Sequence, residues 1–179
     1  MKKFVLEHPV ECREHGFTMI ELLVVITIAA VLAALALPSF DSMVKRWRVR
    51  SAAENVVSAI YLARSEAARL GGVKFVRETP QGCAIGNGQW QCGWRVESME
   101  ATPQVLQQAE PSKGILIKRS QNGNEITFNQ YGQPSGLGAY SFVIIPVADD
   151  QKNDKSRAMV VCASSGGRVR TLTGVDACS

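Results

Sequence analysis

The sequence predicts an α+β chain: one long N-terminal helix whose second half packs on an antiparallel sheet of six or seven strands, divided into two small sheets. Three observations predict it. An apolar run of 21 residues, Phe17 to Leu37, follows a charged leader. A second stretch repeats apolar residues at intervals of three and four as far as Leu70. Beyond Gly71 and Gly72 the pattern turns to short segments rich in Val, Ile, Phe and Trp, separated by turn residues.

At about 1.5 Å per residue a helix as long as the apolar run reaches roughly 30 Å, the thickness of a bilayer's hydrocarbon core. The run can therefore anchor the chain. Glu21 is its ionisable flaw: a carboxylate inside a span costs on the order of 2.5 to 3.5 kcal/mol on insertion scales, so it asks for a partner. The leader offers Lys2, Lys3 and Arg13, whereas Lys45, Arg46, Arg48 and Arg50 follow the run. Basic residues alone therefore do not place the N-terminus on the cytoplasmic side.

Residues Gly16, Phe17, Thr18, Met19, Ile20, Glu21, Leu22 and Leu23 resemble the processing site of type IV prepilins and type II secretion pseudopilins. The resemblance implies a leader, 1–16, removed after Gly16 by a prepilin peptidase, and a mature chain that begins at a methylated Phe17. It also implies the orientation, a single-pass inner-membrane protein with its head in the periplasm, later incorporated into a pilus or pseudopilus with other pilins. Glu21 then finds its partner in the Phe17 amine of a neighbouring subunit when helices stack. A secretory signal peptide or a plain anchor does not explain glycine, phenylalanine and glutamate at this spacing.

The segment 38–72 is expected to continue the helix as an amphipathic stretch. Val49, Ala53, Val56, Ile60, Ala63, Ala67 and Leu70 form one stripe on a 3.6-residue period, which should pack on the head. Arg50 and Glu54 are spaced for a surface pair, and Arg64, Ser65 and Arg69 stand between stripe residues. Pro38 lacks a backbone donor and clashes with the carbonyl of Ala34, so a kink or locally melted segment is expected there. Gly71 and Gly72 supply the stop.

In the head, 73–179, strands are expected at Val73–Arg77, Gly93–Glu97, Gly114–Arg119, Glu125–Asn129, Tyr140–Pro146 and Ala158–Ala163. Asn122-Gly123 marks a hairpin turn between two of them. Ser98 to Lys113 and Val147 to Arg157 read as loops. A head of about 100 to 110 residues can bury a single core.

Both histidines, His8 and His15, belong to the leader, so the processed chain lacks the imidazole that Ser-His-Asp and Cys-His nucleophiles need. No CxxC occurs for zinc and no glycine-rich phosphate loop follows a strand. We therefore expect a non-enzyme without cofactor or metal. Cys12 also leaves with the leader, and Cys83, Cys92, Cys162 and Cys178 remain, an even number that suggests two disulfides in an exported domain. Of the three connectivities, Cys83–Cys92 closes a glycine-rich loop and Cys162–Cys178 ties down the C-terminal tail, and these are preferred. The formal charge of +4 permits polyanion binding without requiring it.

Leu62 to Ala67 at the helix end, Trp90 with Gly93-Trp94, Ile126-Thr127-Phe128 followed by Gly132, and Gly167-Arg168-Val169-Arg170 look like the GspH/FimT family of minor pilins and pseudopilins. The resemblance implies a type IV pilin-like fold. It also implies a minor pilin of the type IV pilus, acting in assembly or priming, with a minor pseudopilin of type II secretion as the alternative. Members of this type in type IV pili are associated with DNA uptake in natural transformation, and the GRxR pattern is where they place contacts. Arg168 and Arg170 flank Val169 in an expected strand, so both face one side about 6.5 to 7 Å apart, close to two steps along a nucleic-acid strand. Lys152, Lys155 and Arg157 are candidates for the same patch, diluted by Asp149, Asp150 and Asp154. The other reading of these arginines is a charged edge strand or a subunit contact. Trp94 and Phe128 read as core.

Overall fold

The computed structural model describes residues 17–83, 86–135, 138–175 and 177–178, apart from the side chains of residues 35–39. The leader, with His8, Cys12, His15 and Gly16, lies outside the described residues. Two compact units divide the chain, Met1–Asp41 and Ser42–Ser179, and helix α1 (Met19–Leu70) enters both.

In the first unit Thr18 starts the helix. Its hydroxyl accepts the Glu21 amide at 3.2 Å and its carbonyl accepts the Leu22 amide at 3.2 Å, so Thr18 is the N-cap. Glu21 thereby occupies the third helical position, where a carboxylate complements the positive end of the helix. The Thr27 hydroxyl donates to the Leu23 and Val24 carbonyls at 3.0 and 2.8 Å, which satisfies a polar group among apolar neighbours. Phe17, Leu22, Ile26, Val31 and their apolar neighbours are exposed. Among the described residues no helix is long and apolar enough to cross a membrane. The described side chains of the apolar run end at Ala34, short of the 21 residues that the sequence supplies. The helix is continuous through position 38, so the locally melted segment expected at Pro38 is not found. One missing backbone bond does not end a helix whose flanking turns keep theirs.

In the second unit α1 turns the predicted stripe inward: Val49, Ala53, Val56, Ile60, Ala63 and Ala67 are all buried. Gly71, with φ of 83°, ends the helix in the left-handed conformation and the chain enters β1 (Gly72–Arg77). Then follow β2 (Trp94–Ser98), β3 (Val105–Ala109), β4 (Ile115–Arg119), β5 (Glu125–Asn129), β6 (Tyr140–Pro146), α2 (Val147–Gln151), β7 (Met159–Ala163) and β8 (Val169–Thr173). The described strands form two four-stranded sheets, β3-β2-β1-β5 and β4-β6-β7-β8, and every pairing is antiparallel.

One core joins both sheets to the helix stripe. At its centre Phe75 of β1 lies 5.0 Å from Trp90 and 6.0 Å from Phe142 of β6, ring centre to ring centre. Trp94 and Phe128 are buried as expected. Such tilted and edge-to-face pairs add to the area they bury, so the aromatic cluster is the contact that sets one sheet on the other.

Three further expectations need correction, and the described strands number eight where six or seven were expected. Asn122-Gly123 is no hairpin: β4 pairs with β6 and β5 with β1, so the two glycine-linked strands belong to different sheets. Arg119 explains the crossing, since its Nη1 donates to the Glu125 carbonyl at 3.0 Å beneath Gly123 and fastens the corner. The loop Ser98 to Lys113 contains β3, an edge strand that completes the ladder of β2. The loop Val147 to Arg157 begins with α2, which packs on β4 and β6. The structure forms both preferred disulfides, Cys83–Cys92 and Cys162–Cys178.

Candidate functional site

The strand register of the second sheet builds a trough on the face turned away from α1. Ser141 of β6, Cys162 of β7 and Arg170 of β8 are register partners, as are Lys118, Val143, Val160 and Leu172 one row further along. Ser120 joins the first row: its amide donates to the Ser141 carbonyl at 2.9 Å, and its hydroxyl accepts the Ser141 amide at 2.9 Å. Small side chains thus floor the trough while Lys118 rises on one side and Arg168 and Arg170 on the other. Its cavity measures about 640 Å³, and Ala177 and Cys178 of the disulfide-tethered tail close it.

Arg168 and Arg170 reach this face through local geometry. Val169 packs on the core, so strand alternation sends Arg170 outward, and Arg168, one residue ahead of the strand, lines the same cavity; both arginines are exposed. Arg168 itself precedes β8, in a turn where its amide donates to the Ser164 hydroxyl at 3.1 Å and its carbonyl accepts the Ser164 amide at 3.0 Å. Among the described residues Arg168 has no carboxylate partner. Lys118 does: its ammonium group contacts both Asp150 oxygens at 3.0 Å.

Arg64 fixes the turn from behind. Its Nε donates to the Gly132 carbonyl at 3.0 Å and its Nη1 to the Gly167 carbonyl. Gly167 has φ of 84°, a left-handed conformation that favours glycine, and a Cβ there would push the Arg64 guanidinium aside. One side chain of α1 therefore clamps the loop after β5 and the β7–β8 turn that bears Arg168.

The structure does not bring Lys152, Lys155 and Arg157 to this patch. They precede β7, whereas Arg168 and Arg170 lie opposite its far end, about 13 Å along the strand. Arg157 lines a separate cavity of about 790 Å³ against α1, with Thr171 and Thr173. It is also engaged: Nε contacts Asp149 Oδ2 at 2.6 Å, and Asp149 is buried. Lys155 lies 3.8 Å from Asp150. The Ser156 amide donates to Asp154 at 2.9 Å and holds that carboxyl below its ordinary value, with Arg157 and Lys152 adding to the effect. These residues form an ion-paired corner. Among the described residues no group of three His, Cys, Asp or Glu is placed to hold a metal.

At the other end of the chain Phe17 and Glu21 are exposed. The Glu21 carboxylate has no cation beside it among the described residues. Gly16 lies outside them.

Two family models match this chain. One, type II transport protein GspH, matches residues 52–167, and the other, the prokaryotic N-terminal methylation motif, matches residues 12–37. The chain belongs to the GspH family. No curated protein matches it by sequence. Among solved structures, the type IV minor pilin FimU of Pseudomonas aeruginosa is 18% identical with a TM-score of 0.57, covering 74% of this chain and 93% of FimU. The minor pseudopilin EpsH from the type 2 secretion system of Vibrio cholerae is 14% identical with a TM-score of 0.51, covering 72% of this chain and 99% of EpsH. At such identities the likeness shows the fold alone, a type IV pilin-like α+β head.

For this chain of the type II transport protein GspH family the expected fold and family stand. The family match ends at residue 167, one position before Arg168, so membership leaves the two arginines to be judged on their geometry. What sequence reasoning missed is Arg64. Its signal was present, a guanidinium between stripe residues together with Gly132 and Gly167, but the partners are backbone carbonyls 68 and 103 residues away.

Proposed function

We propose that this chain is a non-catalytic minor pilin of the type IV pilus machinery, cut after Gly16 and methylated at Phe17. It is held in the inner membrane by Phe17–Leu37 with its head in the periplasm. It enters the filament through α1, with Glu21 set against the Phe17 amine of a neighbour. The trough of the second sheet binds the phosphate backbone of DNA through Arg168 and Arg170, as a receptor for uptake. The observation that carries the DNA contact is the pair of outward guanidinium groups beside a floor of serines, on a turn held by Arg64. Such contacts carry no base information, so binding should be indifferent to sequence and should weaken steeply with salt.

The test is fluorescence anisotropy of labelled duplex DNA with the full chain in detergent. Arg168→Ala with Arg170→Ala is expected to weaken binding at least tenfold at low salt and to flatten the salt slope by roughly 0.9 for each phosphate that is no longer neutralised. An unchanged isotherm eliminates this site. A second reading, a minor pseudopilin of type II secretion, is favoured by the description of the matching family model. Gene neighbours decide between them, because secretion genes or pilus genes will flank the coding sequence.

A further inference from the structure

Where the second unit begins, the outer side of α1 carries cations and apolar groups together. Lys45, Arg46, Arg48 and Arg50 fall within six residues, and the last three are exposed. Among them Met43, Val44 and Trp47 face solvent at 69%, 38% and 67% exposure. The segment is basic by count: Arg50 pairs with Glu54 at 2.8 Å, and between positions 41 and 54 four cations stand against the two carboxylates Asp41 and Glu54.

This combination discriminates between partners. A nucleic acid would accept the cations and leave Met43 and Val44 in water. An apolar protein surface would accept the methionine, valine and indole and strand the cations. An anionic phospholipid surface satisfies both, with basic heads among the phosphates, the indole at the interface and the aliphatic groups toward the acyl boundary. The same chemistry accounts for the charge distribution along the chain, in which more basic residues follow the apolar run than precede it, against the usual bias.

We propose that Met43–Arg50 binds anionic phospholipid headgroups and seats the head on the membrane surface before the subunit joins a filament. The proposal rests on reading Phe17–Leu37 as a membrane span. Its test uses the chain's own tryptophans: Trp90 and Trp94 are 0% and 2% exposed, so quenching by the neutral aqueous quencher acrylamide reports on Trp47. The full mature chain is reconstituted in vesicles of phosphatidylcholine alone or with added phosphatidylglycerol, with Trp47→Phe as the reference. Quenching is expected to fall severalfold when phosphatidylglycerol is present. Lys45→Gln with Arg46→Gln and Arg48→Gln should abolish the difference while vesicle flotation persists. Equal quenching in both vesicle types, with the protein floating in both, overturns the proposal and leaves the span intact. Protection that needs DNA, or that tracks protein concentration and ignores lipid charge, also overturns it, in favour of a nucleic acid or a second copy. Failure to float in either vesicle removes the span and the proposal together.

Discussion

Tyr140 shows how single residues tie this head together. Its ring packs edge-on to Phe142 at 6.2 Å, and burial pushes the phenol up to about 12, with Arg64 and Arg119 pulling it partly back. The native state therefore keeps the proton in a range where an unfolded tyrosine has given it up. The stabilisation is whole below pH 10 and is lost as pH rises from 10 to 12, in total about 2 to 3 kcal/mol. Denaturant midpoints should fall across that window in the parent and fall less in Tyr140→Phe; equal slopes would contradict this burial. Arg119 is a second case, desolvation lowering its affinity for a proton while its guanidinium lies 5.9 Å from the Trp90 ring centre. Trp94 and Phe128 were legible as core because large aromatics in alternating strands have few other uses. Arg64 was not legible, since its partners are carbonyls that carry no side-chain identity.

Among the elements, the ones with a strong period were legible and the ones made by context were not. The helix stripe and strands such as Glu125–Asn129 and Tyr140–Pro146 match their predicted pattern because the sequence encodes them directly, by a 3.6-residue period in the helix, by apolar alternation in Glu125–Asn129 and by a nearly continuous apolar run in Tyr140–Pro146. β3 reads Val-Leu-Gln-Gln-Ala between two prolines and forms because β2 offers an open ladder. α2 has five residues and no side-chain cap, too little for any periodic signal. The sequence spacing of Asn122-Gly123 is that of a hairpin, yet the chain changes sheets there, a long-range outcome that a turn motif cannot encode. The tail is an element only by virtue of its crosslink, which spans 16 residues from Cys162 to Cys178 and closes one end of the trough. Cys162→Ser with Cys178→Ser should lower unfolding stability by about 2 to 4 kcal/mol. Limited proteolysis should then cut the tail while the rest of the head stays resistant; a tail as resistant as the parent's would show that packing alone holds it.

For the whole molecule, the division of labour runs along the chain. The head is a closed core with a basic trough, and the N-terminal segment presents apolar surface with one carboxylate near its capped start. Apolar surface on that scale calls for cover, which the proposed membrane span and then the proposed filament neighbours would supply in turn. The candidate site was half legible: strand alternation placed Arg168 and Arg170 together, whereas Lys152, Lys155 and Arg157 were grouped with them by sequence proximity and lie at the opposite end of β7. The central claim, a processed subunit that enters a filament, is tested most directly by the intact mass of the chain recovered from sheared filaments. The mass should correspond to a chain that starts at Phe17, carries one added methyl group and keeps both disulfides; a mass that includes residues 1–16, or the absence of the chain from the filaments, would contradict it.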